Sequence, residues 1–304
     1  MRRVRRLLAL CLAVPALVAC ALHIAHSGDP GLPPAQDGAI RVATHNVHYI
    51  WGRRATGRWS VGDWEARAPA LDAALKATGA DLVAFQEMET FEGGNSDARN
   101  LARSHLLDAN PGYAAAAIGP WRRFPSTQPI FYRPDRLELR DQGWFFFSDM
   151  PDTIYSRTFD GSYPAFASWA EFVDPAGRAF RVVNVHFDAG SGENRLKSAR
   201  LVARRIAPWI DDGQPVLLMG DLNARAGAPT LDILAEAGLD FAPIDGATFH
   251  FDLGINLFGA IDHIAASDRF ERVTDPVVLR RRFAGDWPSD HYPVVADYRL
   301  RATP

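Results

Sequence analysis

Cysteine is almost missing from this chain. Of its 304 residues only Cys11 and Cys20 are cysteines, so the body has no disulfide framework, no thiolate metal site and no cysteine nucleophile. A basic surplus is missing too: the formal net charge is −3, and about −7 once the four arginines among the first six residues are set aside. A protein that depends on unspecific attraction to polyanions usually carries the opposite sign. There is no repeat with a period of roughly 20–50 residues, which excludes a solenoid. No low-complexity stretch interrupts the chain beyond residue 39, so residues 40–304 read as one domain. With 47% hydrophobic and 23% charged residues, the chain has what a globular core requires.

The apolar run in MRRVRRLLALCLAVPALVAC is too short for a comfortable membrane span. Behind its basic start it reads as an export signal. Leu17-Val18-Ala19-Cys20 resembles the lipobox of bacterial lipoproteins, in which the cysteine becomes the lipidated first residue. The expected organisation is a signal peptide at 1–19, then lipidated Cys20 with a flexible tether over 20–39, whose SGDPGLPPAQDGA lacks apolar periodicity. The domain follows, exported and anchored to a membrane on its periplasmic or cell-surface side.

Strand-like runs recur at 40–47, 82–85, 129–132, 165–173, 180–187, 216–219, 261–266 and 294–300. Helical spacing at 64–78 stops at Gly79, and 194–210 reads as an amphipathic helix with a basic outer face. The mixed order predicts an α/β architecture, and a hairpin around residues 174–178 adds antiparallel pairing.

Polar groups gather where the apolar runs stop. PVLLMGDLN ends in Asp221 and Asn223, and other runs end in His45-Asn46, Gln86-Glu87, His186 and Asp262-His263, while Ser289-Asp290-His291 precedes the last strand. Asx residues also serve plain strand-end turns, and Asn46 and Asp262 suit that role. As a set, however, the carboxylates and amides offer oxygen ligands without any thiol, which is the chemistry of Mg2+, Mn2+ or Ca2+ rather than of zinc.

These residues resemble the endonuclease/exonuclease/phosphatase superfamily of metal-dependent phosphoesterases. The resemblance rests on HN (45–46), QE (86–87), NVH (184–186), GDLN (220–223), IDHI (261–264) and SDH (289–291), in family order across nearly all of residues 40–300. It implies a four-layered α/β/β/α sandwich of two mixed sheets flanked by helices. It also implies a hydrolase that cleaves a phosphomono- or phosphodiester by in-line attack of water; the chain is expected to work as a monomer. Glu87, with Asn46 and Asp290, would hold the divalent metal; Asp221 and Asn223 would position and deprotonate the water. His291, oriented by Asp262, would contact the phosphoryl oxygens, and His186 would serve the leaving side. His45, His250 and His263 are assigned to packing or to supporting the site residues from behind. His48 stands where some nucleases of the family carry an acidic residue, which leaves a second metal without that ligand.

Substrate class is less constrained. The loop WGRRATGRW at 51–59 places Arg53, Arg54 and Arg58 among tryptophans after the Asn46 strand, a composition that suits phosphate with a stacked base, a lipid headgroup, or simple solvation. The apolar stretch FHFDLGINLF at 249–258 suits core or substrate wall equally. Small phosphoesters, extracytoplasmic nucleic acid and lipid headgroups all stay open as substrates, as does a non-catalytic surface lipoprotein on the same fold.

Overall fold

The computed structural model describes residues 2–94 and 99–302, with side chains described from residue 14 onward. Met1, Cys11 and the basic start of the expected export signal therefore lie outside the described side chains. In chain order the elements are α1 (Arg2–Ala25), β1 (Ile40–Asn46), β2 (Ile50–Trp51), α2 (Val61–Thr78), β3 (Leu82–Gln86), β4 (Thr90–Phe91), α3 (Leu101–Ala109), β5 (Ala114–Ala116), β6 (Ile130–Tyr132), β7 (Glu138–Phe146), β8 (Phe166–Val173), β9 (Ala179–His186), α4 (Gly192–Asp211), β10 (Val216–Asp221), α5 (Pro229–Glu236), β11 (Asp240–Phe241), β12 (Asp262–Ala266), β13 (Phe270–Arg272), β14 (Val277–Val278) and β15 (Val294–Leu300).

Two mixed sheets carry the domain. One has the order β13-β15-β1-β3-β6-β5, with β14 also on β15, and the other runs β11-β12-β10-β9-β8-β7. The central pairs β1–β3 and β10–β9 are parallel, and their other neighbours are antiparallel. Strands buried on both faces need apolar side chains on both, which is why β3 and β10 begin as unbroken apolar runs, Leu82–Phe85 and Val216–Met219; β1 is equally buried but carries polar residues that are paired, such as Arg41 with Asp297.

Three apolar layers follow from that burial. Val42, Leu82, Val182, Leu217 and Ile264 meet between the sheets. Trp64, Leu71 and Leu75 of α2 and Leu106 of α3 cover the outer face of the first sheet, and Val202 and Ile206 of α4 with Leu231 and Leu234 of α5 cover the second. This is the expected four-layered sandwich. Ser60 caps α2 by accepting from the Asp63 N–H at 3.2 Å, and Gly79 ends it in the left-handed region at φ 56°. Ser191 caps α4 in the same way through the Asn194 N–H.

The sheets are also joined by polar bonds just beneath the strand ends. Gln86 Nε2 donates to Asn184 Oδ1 at 2.7 Å, and Asn184 Nδ2 donates to the Phe85 carbonyl at 2.8 Å. The segment expected to be a flexible tether follows the domain surface: the carbonyls of His26, Pro33 and Asp37 accept from Ala247 N, Arg41 Nη2 and Arg299 Nη2. Leu32 packs against the core of the first sheet.

Candidate active site

Both sheets turn the carboxyl ends of their central strands to the same place. In the second sheet Asp221 stands opposite His186 on one side and Asp262 on the other. In the first, Asn46 stands opposite Gln86, so Glu87 leaves its strand beside it. Close approach of β10 to β9 requires Gly220: a Cβ there would lie 1.9 Å from the Val185 carbonyl oxygen, and its φ of 150° disfavours any side chain.

Asp221 is the hub of the arrangement. Its Oδ1 accepts the Asn223 N–H at 2.9 Å. Its Oδ2 accepts from Asn46 Nδ2 at 3.2 Å and lies 3.6 Å from His186 Nε2 and 3.7 Å from His291 Nε2. The same Asn46 amide donates to Glu87 Oε1 at 3.0 Å, and that oxygen is 3.7 Å from His186 Nε2. Behind His291, Asp262 Oδ2 accepts from Nδ1 at 2.9 Å, which leaves Nε2 facing the hub. Asp290 stands at the rim: its carboxylate accepts from Ser289 Oγ at 3.3 Å, and its charge acts on His48, Tyr49 and His291.

Three residues of this region, His48, Glu87 and Asn223, sit at positive φ (52°, 54° and 47°). Such backbone costs ~1–3 kcal/mol per residue and collects where function needs a particular side-chain direction. Electrostatics separates the carboxylates. Burial and the neighbouring Asp262 charge push the Asp221 carboxyl up to about 6. Burial would also raise Glu87, but His186, His48 and the Asn46 amide outweigh it and hold Glu87 below the usual carboxylate range. Burial disfavours the His291 imidazolium, yet Asp262, Asp221 and Asp290 overcome this and push its pKa up to about 10.

The family profile for endonuclease/exonuclease/phosphatase proteins matches residues 43–291, a span that contains every one of these groups. The chain belongs to the endonuclease/exonuclease/phosphatase family. It is accordingly grouped with metal-dependent phosphoester hydrolases, a family that holds phosphatases and nucleases. A family protein from Bacteroides vulgatus is 25% identical, with a TM-score of 0.72 over 86% of this chain and 99% of that one. One from Bacteroides thetaiotaomicron is 24% identical, with a TM-score of 0.71 over 88% of this chain and 100% of that one. A mannosyl-6-phosphatase from the latter organism is 25% identical, with a TM-score of 0.69 over 86% of this chain and 100% of that one. No match was found among curated proteins.

The family's need for a divalent cation can be checked against the donor set present. Two carboxylate oxygens, from Glu87 and Asp221, crowd one amide nitrogen, and Asp221, Asp262 and His291 have ligand-type atoms within 4.8 Å of one another. An oxygen-rich, thiol-free cluster with surplus negative charge fits a hard divalent cation. The cluster converges on Asp221 more than the sequence implied.

The loop arginines are placed unequally. Arg58 Nη2 donates to the Phe251 carbonyl at 3.1 Å and so bridges to the 249–258 loop. Arg54 stacks on Trp51, with the guanidinium 4.7 Å from the ring centre, and Arg53 lies against Gly93. All three are exposed. Phe249 is half-buried, with its ring 4.9 Å from that of His291.

His45, His250 and His263 pack as expected. His45 Nε2 meets the His291 carbonyl and His263 Nε2 the Ala224 carbonyl. His48 stacks on Trp59 at 3.4 Å between ring centres.

Sequence reading missed Arg67. Its buried guanidinium donates to the carbonyls of Val47, His48 and Pro288 and ties the loop after β1 to the one before His291. The only signal was an arginine on the inward side of an apolar helix. Also missed was a groove of about 1230 Å³ that opens beside Asn223, with Arg195 and Arg225 among its lining residues. A smaller cavity of about 210 Å³, lined by Gly38, Asp81 and Arg178, lies at the opposite strand ends and holds none of these groups.

Proposed function

We propose that this protein hydrolyses phosphoesters by in-line attack of a water activated at Asp221, working as a monomer and tethered to the periplasmic or cell-surface side of a membrane through lipid on Cys20. The single observation that carries the reading is the convergence on Asp221 Oδ2 of Asn46, His186 and His291, with His291 held by Asp262. A carboxyl raised to about 6 is a competent base near neutral pH, whereas an ordinary aspartate is a weak one. Asn223, fixed by its N–H to Asp221 and its Nδ2 to the Phe187 carbonyl, would orient the water. His291, kept protonated, would donate from Nε2 to a phosphoryl oxygen, and His186 would stand on the leaving-group side.

Glu87, Asn46 and Asp290 are the residues that would hold Mg2+, Mn2+ or Ca2+, and such a cation when bound offsets charge on the phosphate oxygens. Likeness to the mannosyl-6-phosphatase supports a small phosphomonoester among the substrates. The bond from Arg58 to the Phe251 carbonyl ties the arginine loop to the 249–258 stretch, and the acidic body favours small esters or headgroups over duplex DNA.

Export and anchoring rest on the N-terminus. Cys20 is exposed on α1, as are Leu17, Val18 and Ile24. Among the described residues no helix is long and apolar enough to cross a membrane. The test is a substrate panel of sugar phosphates, chromogenic phosphodiesters and single-stranded oligonucleotides, assayed with Mg2+, Mn2+ and EDTA, beside mass spectrometry of the exported protein. Hydrolysis unaffected by EDTA would refute the metal-dependent reading, and an unmodified N-terminus beyond Cys20 would refute the lipid anchor.

A further inference from the structure

Residues 251–256 expose two large apolar side chains without a folding reason. Leu253 is 67% and Ile255 39% exposed. Their turn is braced rather than loose: the N–H groups of Leu253 and Ile255 donate to the His250 carbonyl, and that of Gly254 to His250 Nδ1 at 3.2 Å. Gly254 sits so close to Trp287 that a Cβ would come within 2.7 Å of the ring. A rigid turn that holds two aliphatic side chains in water marks a contact surface.

What surrounds the turn identifies the partner. Exposed Arg58 donates to the Phe251 carbonyl, exposed Arg282 stacks over Trp287 at 5.1 Å, and exposed Arg281 pairs with Asp29 of the N-terminal segment. Asp252 pairs with Arg58 and Asp29 with Arg281, and among the described residues Arg282 forms no ion pair. The N-terminal segment docks at the same place: Asn256 N donates to His23 Nδ1 at 3.1 Å, Asn256 Nδ2 to Ser27 Oγ at 2.9 Å, and Arg280 Nη1 to the Gly28 carbonyl at 2.7 Å. Cys20 precedes His23 by three residues, so a lipid there is at most about 11 Å of extended chain from this attachment.

We propose that the Phe251–Asn256 turn is a membrane-contact surface, its Leu253 and Ile255 seated in an anionic bilayer with the Cys20 anchor entering beside them. This rests on the reading of the chain as a membrane-tethered phosphoesterase and gives that reading an orientation. The turn continues from Phe249, whose ring lies beside that of His291, so docking sets the catalytic mouth against the headgroup layer. The phosphoester drawn into the site is then one presented at the bilayer surface. Basic residues around a small apolar insertion suit such an interface.

The test uses the full chain with Cys11 and Cys20 replaced by serine and one new thiol, Leu253→Cys, labelled with an environment-sensitive dye. A reference protein carries the label at Ala176→Cys, in the turn that precedes β9 and so about 25 Å of strand away from the site. Vesicles of phosphatidylglycerol and phosphatidylcholine with headgroup-level nitroxide quenchers are added to each. Quenching at 253 is expected to exceed that at 176 at least twofold; equal quenching at both positions overturns the proposal. Hydrolysis of soluble chromogenic phosphomono- and phosphodiesters, with Mg2+ or Mn2+ present, is followed in parallel. Preferential quenching without hydrolysis by the wild type would overturn the enzymatic reading alone, and hydrolysis with equal quenching would overturn the orientation alone.

Discussion

Gly220→Ala is the sharpest probe of how the fold sets the site, because it adds one methyl and removes nothing. The new Cβ would meet the Val185 carbonyl oxygen at 1.9 Å, whereas real Cβ contacts essentially never fall below 3.0 Å. The β9 and β10 backbones must therefore separate by about 1 Å at Val185, one residue before the His186–Asp221 pair. Overpacking costs ~1–3 kcal/mol. A backbone at φ 150° that alanine disfavours adds ~1–3 kcal/mol more. The loss is roughly 2–6 kcal/mol, a large share of an ordinary domain's ~5–15 kcal/mol. Thermal unfolding by circular dichroism should fall by at least ~5 °C. A displacement of ~1 Å between His186 and Asp221 should lower kcat about 100-fold on any substrate found, in protein shown to be folded at the assay temperature. Gly112→Ala is the control, since a Cβ there meets nothing within 4 Å and its φ is not positive. A Gly220→Ala protein with unchanged melting and unchanged kcat would refute the claim that this contact spaces the catalytic strands.

Other perturbations separate the groups by role. Asp221→Asn and His291→Ala should each keep the fold and lose at least ~100-fold in kcat, with near-normal activity in either folded variant refuting its assignment. Glu87→Gln should regain part of its activity in excess Mg2+ or Mn2+, and Asp262→Asn should not, because its partner is the His291 imidazole; a metal titration of both decides this. Arg58→Ala should raise KM more than it lowers kcat on soluble substrates, and an unchanged KM would mean that its bond to Phe251 is only structural. Burial lowers His45 and His250 to about 3. The folded state therefore binds fewer protons than the unfolded one between pH ~6.5 and ~3, and each imidazole removes ~1.4 kcal/mol of stability per pH unit across that window as pH falls. Denaturation at pH 7, 6 and 5 should show a shallower loss in His250→Gln; an identical slope would contradict neutral burial of His250.

Much of the site was legible because its chemistry conflicts with its surroundings. A carboxylate after Val-Leu-Leu-Met-Gly, or Gln-Glu after Leu-Val-Ala-Phe, has no folding motive, and that conflict survives in one dimension. β3 and β10 were legible from their unbroken apolar runs, and the other central strands from shorter apolar stretches between turn residues. β7 was not anticipated: its Glu138–Arg140 half is polar and partly exposed at the sheet edge, where pairing with β8 rather than burial makes the strand. The helices α3 and α5, at 9 and 8 residues, are too short for periodicity to stand out. Arg67 resembled any helical arginine, because its three carbonyl partners lie on loops 19 to 221 positions away. The course of residues 26–38 was hidden for a related reason. Pro- and Gly-rich composition reports a missing periodicity, while the carbonyls that dock this stretch are present in every sequence.

Gln86 and Asn184 show how the legible and hidden parts depend on one another. Each belongs to a recognisable motif, yet neither had been given a task beyond its place in that motif. Their bond crosses the interior between the sheets, where an unpaired amide costs ~1–3 kcal/mol, so each holds the other to one geometry. Gln86 lies one residue before Glu87, and Asn184 two residues before His186, so both point into the sandwich while the catalytic groups stand at the mouth. A purely apolar interface can slide by a fraction of an ångström at little cost. An amide pair that also binds the Phe85 carbonyl and Thr44 cannot. The 3.7 Å between Glu87 Oε1 and His186 Nε2, side chains supplied by different sheets, is thereby a property of the core and not of the loops above it.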